Sequence, residues 1–211
     1  MGQILSQYER VIKMLELILI RHGQTDSNIR RTYVGWTDVE LNEEGIRQAL
    51  ELKEKLKNIS VDKIYASPLK RAKKTAQIIN GNFCLDICYD DNLKERNFGI
   101  WDDLTDDEIK NLYKNEYNMW LKDWKNYCIK GGESGLESYE RVVKFSKNII
   151  DSFDEGRILI VSHLGTIRYM ISYLLGMDIE SSWRFRLDNC EMAKIQIIDD
   201  YGVLVSLGKY T

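Results

Sequence analysis

Leu15 to Ile20 is an apolar run broken only by Glu16 and β-branched at Ile18 and Ile20. So short a run without polar alternation is the pattern of a strand buried on both faces, and such a strand needs helices above and below its sheet. The rest of the chain supplies them. After a polar loop, Asn42 can cap a helix whose apolar positions Ile46, Ala49, Leu50 and Leu56 fall near helical spacing. A second strand, Lys63 to Ala66, ends at Ser67-Pro68, where Ser67 suits an N-cap and the only proline suits the first position of a helix running toward Ile79 and stopping near Gly81. Farther on, Glu137 to Phe153 is predicted helical, Arg157 to Val161 a strand and Thr166 to Leu175 a helix. Ala193 to Ile198 and Val203 to Leu207 then flank Asp199-Asp200-Tyr201-Gly202, a hairpin signal. The alternation predicts an α/β chain: three layers, α/β/α, with a mostly parallel central sheet.

Between Asn92 and Gly135 the texture changes to Trp, Tyr, Asp and Lys, and Thr105 with Glu108 has capping-box spacing. This stretch, about 92–135, is read as a small helical insertion over the sheet edge, containing Trp120, Trp124 and Tyr127. Residues 1–14 form an N-terminal extension and 15–211 one domain, in keeping with roughly 100–200 residues per domain. The paired acids Asp90-Asp91, Asp102-Asp103, Asp106-Asp107 and Asp199-Asp200 read as solvated loops and helix starts rather than metal ligands. A formal net charge of −3 announces no broad basic surface, so no nucleic-acid partner is expected.

No apolar run approaches the roughly 18 residues of a membrane span, and Glu9, Arg10 and Lys13 interrupt the stretches a signal peptide would need. Met1-Gly2 with Ser6 fits the loose myristoylation pattern, but no polybasic segment follows, and Met14 could equally be an alternative start. Cys84, Cys88, Cys128 and Cys190 include no Cys-x-x-Cys pair and read as reduced thiols. A cytoplasmic location is the expectation.

The chain has two histidines, too few for a three-His zinc site. Both stand just past the end of a predicted buried strand, in Ile20-Arg21-His22-Gly23 and Val161-Ser162-His163-Leu164-Gly165, at the edge where open parallel sheets bind ligands. Arg21 precedes the first, and Arg71 lies one turn into the helix opened by Ser67-Pro68. Two guanidiniums and two imidazoles at one sheet edge describe an anion site. Phosphate fits best, because a guanidinium holds two phosphoryl oxygens at once and stays charged at physiological pH. One neutral imidazole can then attack phosphorus to give a labile phosphohistidine, covalent chemistry that requires no metal or cofactor, while the other stabilises transition-state charge. The leaving alkoxide still needs a proton donor. Glu95, in Leu93-Lys94-Glu95-Arg96-Asn97-Phe98-Gly99, is a candidate if burial or bound phosphate keeps it partly protonated. Its competing reading is a salt bridge to Arg96 or another surface cation.

At this point the motifs resemble a known family. Leu17-Ile18-Leu19-Ile20-Arg21-His22-Gly23-Gln24-Thr25 followed by Asn28 is similar to the signature of the histidine phosphatase, or phosphoglycerate mutase-like, superfamily. The resemblance continues through Gly35-Trp36-Thr37-Asp38-Val39-Glu40-Leu41, Ser67-Pro68-Leu69-Lys70-Arg71-Ala72, the Glu95 segment, Gly132-Glu133-Ser134 and Ser162-His163-Leu164-Gly165. It implies that His22 is the nucleophile, that Arg21, Arg71 and His163 complete a phosphate pocket, that Asn28 reaches the phosphate from its loop and that Glu95 is the proton donor. The insertion then lies over the active site. Gln24 stands where many members carry Glu or Gln, and Gly131-Gly132-Glu133-Ser134 is either a loop beside the substrate or a solvated turn.

Phosphatases, mutases and bisphosphatases share such a pocket. The stretch from Glu95 to His163 is short for a mutase, which must keep its phosphohistidine covered while the intermediate reorients, so hydrolysis is expected. Tyr117-Asn118-Met119-Trp120-Leu121-Lys122-Asp123-Trp124 and Ser182-Trp183-Arg184-Phe185-Arg186-Leu187-Asp188-Asn189-Cys190 resemble segments of alpha-ribazole phosphatases of cobalamin nucleotide-loop synthesis. The resemblance implies a small-molecule phosphate ester, alpha-ribazole 5'-phosphate or the corresponding cobamide phosphate, as substrate. Trp183, Phe185 and Leu187 read equally as an amphipathic strand with all three packed inside. Trp120 and Trp124 either pack within the insertion or contact the flat benzimidazole. The competing readings are a phosphoglycerate mutase or broad sugar-phosphate phosphatase of the same fold, an inactive phospholigand-binding regulator, and a zinc protein using the histidines with cysteines. The neighbouring arginines count against a cation site. No motif fixes an oligomeric state.

Overall fold

Strand β1 (Met14–Arg21) explains its own sequence. Leu15, Leu17 and Leu19 face one apolar cluster and Ile18 and Ile20 the other, so neither face of the strand meets water. Complete burial of such a side chain contributes about 1.5–3 kcal/mol, and Leu17 through Ile20 are all fully buried. Glu16, the polar break, pairs with Arg157 and Lys194. The computed structural model describes residues 14–199 and 201–210. The myristoylation pattern, the rest of the N-terminal extension before Met14, and Asp200 of the hairpin turn lie outside the described residues.

After β1 come α1 (Asp26–Arg30), α2 (Glu43–Lys55), β2 (Lys63–Ala66), α3 (Lys70–Asn80) and β3 (Ile87–Tyr89). Two 3-10 turns, Asp91–Leu93 and Gly99–Trp101, lead to α4 (Asp106–Leu112), α5 (Lys114–Lys122) and α6 (Gly135–Ser152). The chain closes with β4 (Gly156–Ser162), α7 (Leu164–Leu174), a 3-10 turn Ile179–Arg184, β5 (Met192–Ile198) and β6 (Tyr201–Gly208). The six-stranded sheet has the order β3-β2-β4-β1-β5-β6. The first four run parallel, and β5 and β6 are antiparallel additions at one edge. Helices α2 and α3 cover one face and α6 and α7 the other, the three layers expected. β1 therefore leads into a helix on one face while its neighbour β4 leads into a helix on the opposite face. That divergence opens a crevice at the C-terminal strand ends.

Three local expectations are corrected. Helix α3 starts at Lys70 rather than Pro68. The Ser67 hydroxyl accepts from Leu69 N–H at 3.3 Å but also lies 2.8 Å from a histidine nitrogen, and Asp38 from a distant loop takes Lys70 N–H at 2.6 Å. In α2, Gly45, Ala49 and Leu52 are buried and Leu56 follows them, whereas Ile46 and Leu50 stay exposed. Trp183 does not belong to a strand: Asp178 accepts from both Ser181 N–H and Oγ and starts a 3-10 turn that leaves Trp183 56 % exposed, while Phe185 and Leu187 are buried. The short β3 was not anticipated.

The 92–135 region has its own small core, Trp101, Ile109 and Ile129, ringed by aromatic side chains. The Thr105–Glu108 capping box starts α4 as its spacing predicts. Among the described residues no helix is long and apolar enough to cross a membrane, and no group of three or more His, Cys, Asp or Glu is placed to hold a metal ion.

Candidate active site

His22 follows β1 and His163 follows β4. The parallel register that sets Arg21 opposite Ser162 leaves the two imidazole centroids 5.1 Å apart. The same sheet brings in β2: Ser67 N–H donates to Val161 O, and Ser67 Oγ sits 2.8 Å from His163 Nε2. Arg71 enters from the first turn of α3 and is 1 % exposed. Sequence adjacency alone placed Arg21; the others converge because three parallel strands end together.

The partner of His22 fixes where its proton sits. His22 Nδ1 lies 2.7 Å from Gly23 O. A carbonyl can only accept, so Nδ1 carries the hydrogen and Nε2 keeps a lone pair. Burial, then the charges of Arg71 and Arg21, hold the His22 pKa well below its ordinary value, so the ring is neutral. Burial and Arg71 do the same to His163. Ser67 Oγ accepts the Leu69 N–H and shares one hydrogen with His163 Nε2; when the hydroxyl donates that hydrogen, the His163 proton sits on Nδ1. His163 Nδ1, Arg21 Nε and Arg71 Nε are all buried without a hydrogen-bond partner. Buried donors normally have one, and an anion bound among them would supply it.

The guanidiniums are held from behind. Arg21 Nη1 donates to Leu187 O at 2.7 Å, and Arg71 donates to the carbonyls of Val34, Gly35 and Thr37. Burial pushes Arg71 down to about 10, against the opposing charges of Glu95, Asp102 and Asp38, so it remains a cation at neutral pH. Asn28 accepts from Thr25 N–H and Asn189 Nδ2 through its side-chain oxygen, each at 3.1 Å, which leaves its amide nitrogen for an anion. Asn189 also donates to His22 O at 3.0 Å.

Glu95 is buried, and its carboxylate does not pair with Arg96. One oxygen accepts Arg96 N–H and the other accepts Gly165 N–H in the first turn of α7, each at 2.9 Å. The Arg96 guanidinium instead donates to the carbonyls of Glu133 and Tyr127. Arg141 fixes the segment by donating to the carbonyls of Asn92, Lys94 and Glu95 while its Nε pairs with Glu133 at 2.8 Å. Glu133 thus supports the Glu95 segment through Arg141.

Gly165 has no side chain because Glu95 occupies the space. A Cβ there would collide with Glu95 Oε1 and lie 3.1 Å from Cδ. Alanine suits a helix better than glycine, so Gly165→Ala should leave α7 intact while displacing the carboxylate. The expected result is a fall in kcat of about 10- to 100-fold with unchanged circular dichroism, checked by steady-state kinetics.

Arg21, His22, Asn28 and Glu95 open onto a cavity of about 280 Å³ whose outer wall includes Tyr33, Phe98, Trp120 and Trp183. Trp120 packs edge-on against Trp101 at 5.8 Å, as one of its two readings expects, and also lines this cavity. Trp124 packs edge-on behind Trp183 at 5.4 Å. Arg168 places its guanidinium 5.6 Å from the Trp183 ring centroid and donates from Nε to Phe185 O at 2.6 Å. A wider cleft of about 530 Å³ beside α2 contains neither histidine. Its Glu44, Arg47 and Glu51 are paired with one another.

Sequence reasoning missed Ser67, Asn189 and Arg141, each of which acts through a partner far along the chain. The Ser67-Pro68 step and the family motif both contain Ser67, but the role read from them is a helix cap.

Comparison with known proteins gives a consistent setting. The model of the histidine phosphatase superfamily (branch 1) matches residues 17–209. Phosphoserine phosphatase 1 of Hydrogenobacter thermophilus is 31% identical over 194 residues, 92% of this chain and 92% of that protein. Adenosylcobalamin/alpha-ribazole phosphatase of Escherichia coli is 32% identical over 195 residues, 90% of this chain and 94% of that protein. The crystal structure of the alpha-ribazole phosphatase from Shigella flexneri matches with a TM-score of 0.87 at 31% identity, over 93% of this chain and 97% of that one.

Proposed function

The chain belongs to the histidine phosphatase superfamily, branch 1, and from that premise we propose that it hydrolyses alpha-ribazole 5'-phosphate, or the corresponding cobamide 5'-phosphate, through a phosphohistidine on His22. It is a phosphoric monoester hydrolase, like its named relatives. The observation that carries the substrate is the aromatic wall of Tyr33, Phe98, Trp120 and Trp183 beside the phosphoryl pocket. Flat rings gain about 0.5–1.5 kcal/mol from each well-placed aromatic neighbour beyond the area they bury. The likeness to alpha-ribazole phosphatases supports the same choice.

In the proposed reaction His22 Nε2 attacks phosphorus, the N–P bond forms as the P–O ester bond breaks, and Glu95 gives its proton to the departing alkoxide. Glu95, now ionised, takes a proton from water as the water oxygen attacks the phosphohistidine. The N–P bond breaks back to His22, and orthophosphate leaves. Arg21, Arg71, Asn28 and His163 hold the non-bridging oxygens and the charge that develops on them. The four free cysteines support a cytoplasmic setting.

One observation favours a second reading. Arg31 and Arg168 also line the cavity, and a carboxylate on a smaller leaving group would suit them, as in phosphoserine, the substrate named for one relative. A panel of alpha-ribazole 5'-phosphate, phosphoserine, 3-phosphoglycerate and p-nitrophenyl phosphate separates the two. Alpha-ribazole phosphate is expected to lead in kcat/KM by about 10-fold or more. Phosphoserine in first place would replace the first reading with the second, and phosphoglycerate isomerisation faster than hydrolysis would make the chain a mutase.

A further inference from the structure

Arg71 is a buried cation whose hydrogen bonds among the described residues go to neutral carbonyls: from Nη2 to Gly35 O at 2.7 Å and Val34 O at 3.3 Å, and from Nη1 to Thr37 O at 3.0 Å. Of the charges that oppose it, Glu95, Asp102 and Asp38, Asp102 lies on the far side of those peptides. Gly35 N–H donates to Asp102 Oδ1 at 2.8 Å, and Trp36 and Thr37 N–H donate to Oδ2 at 2.8 and 2.9 Å. The Val34 carbonyl and Gly35 N–H belong to one planar peptide group, and the Gly35 carbonyl and Trp36 N–H belong to the next. Each group therefore holds the carboxylate at its N–H end and the guanidinium at its C=O end. Hydrogen bonds chained in this way polarise one another and strengthen both ends.

The loop between them has little freedom. A Cβ on Gly35 would collide with Arg96 O and lie 2.9 Å from Phe98 N. Trp36 Nε1 donates to Glu95 O at 2.9 Å, and Asp38 takes the Lys70 N–H that opens α3. Residues 35–38 thus clamp the Arg71 helix to the Glu95 segment, and Asp102 gathers the amides of the clamp. Its neighbour Asp103 bonds elsewhere, to Ser27, Arg30 and Thr32, so the Asp102-Asp103 pair lies in a part-exposed turn, as its composition suggests, but is tied down by hydrogen bonds.

We propose that Asp102 is a positioning residue for phosphoryl binding, acting through the 34–35 and 35–36 peptide groups to fix the Arg71 guanidinium and leave its unpartnered Nε for the phosphoryl group. This rests on the phosphoryl site proposed above but not on its leaving group, so inorganic phosphate is the probe. Its competitive inhibition constant is measured against p-nitrophenyl phosphate for the wild type, Asp102→Asn, Arg71→Lys and the double variant. Asparagine keeps the shape of Asp102 but turns one acceptor into a donor facing an N–H. The inhibition constant is expected to rise about 10-fold in Asp102→Asn. In the Arg71→Lys background the same substitution adds less than about threefold, because one ammonium nitrogen cannot reach the Nη1 and Nη2 carbonyls together and still offer a donor at the Nε position.

A purely structural role would lower the thermal midpoint without moving the inhibition constant or producing that non-additivity. If Asp102→Asn does not fold, Asp102→Ser, which keeps a small acceptor and admits water, is assessed by the same constant. A folded variant whose phosphate inhibition stays within about twofold of wild type overturns the relay alone. A wild type that phosphate does not inhibit overturns the phosphoryl site and the relay together.

Discussion

His22→Ala is expected to lower turnover by about 10⁴-fold or more and to abolish phosphoenzyme labelling. The size of the loss follows from the lone pair on Nε2. His22 Nδ1 is committed to Gly23 O, and burial with two arginines keeps the ring neutral, so the Nε2 lone pair is available for the proposed attack without deprotonation. No other imidazole can replace it: the His163 ring is held at Nε2 by Ser67, and the chain contains no third histidine. Rapid quenching of wild-type enzyme with phosphorus-labelled substrate should trap label that is lost in acid and kept in base, the stability of an N–P bond. Retained turnover or retained label in the alanine variant would remove His22 from the nucleophile role. Phosphate binding without hydrolysis in the wild type would instead indicate a phospholigand-binding regulator. Circular dichroism is needed alongside, since His22 is only 4 % exposed.

How far the sequence could be read depended on the range of the signal. β1 was legible because complete burial on two faces leaves an uninterrupted apolar run, and its run was interrupted only where Glu16 finds Arg157. The two histidines were legible as a pair because each follows such a run, and parallel pairing of β1 with β4 turns equivalent sequence positions into neighbours. The family resemblance added Asn28, which no local pattern marks. Long-range hydrogen bonds were not legible. Ser67 looks like a helix cap by its place before Pro68, yet it serves a histidine that follows another strand, and the helix takes its cap from Asp38. Asp102 looks like a surface acid, yet it collects three amides from a loop far earlier in the chain. Trp183, Phe185 and Leu187 alternate as a strand would, but Asp178 fixes a helical turn first and turns Trp183 outward to the cavity mouth.

Glu95→Gln is expected to lower kcat on an alkyl phosphate by about 10²- to 10⁴-fold, with a pattern across substrates that only a proton donor produces. An alkoxide leaving group needs a proton as the P–O bond breaks, whereas p-nitrophenolate leaves without one. The variant should therefore still phosphorylate His22 rapidly from p-nitrophenyl phosphate. It should then stall, because in the proposed reaction the same carboxylate activates water in the second step. Stopped-flow absorbance should record a burst of p-nitrophenol equal to the enzyme concentration followed by slow turnover, while an alkyl ester gives no burst. Glutamine can still accept the Arg96 N–H, but its amide would face the Gly165 N–H as donor against donor, at a cost of about 1–3 kcal/mol in stability. That cost shifts the unfolding midpoint equally whichever substrate is present. A loss of equal size for both leaving groups, with no burst, would make Glu95 a residue that shapes the pocket through Arg96 and Gly165, and the proton would have to come from another group.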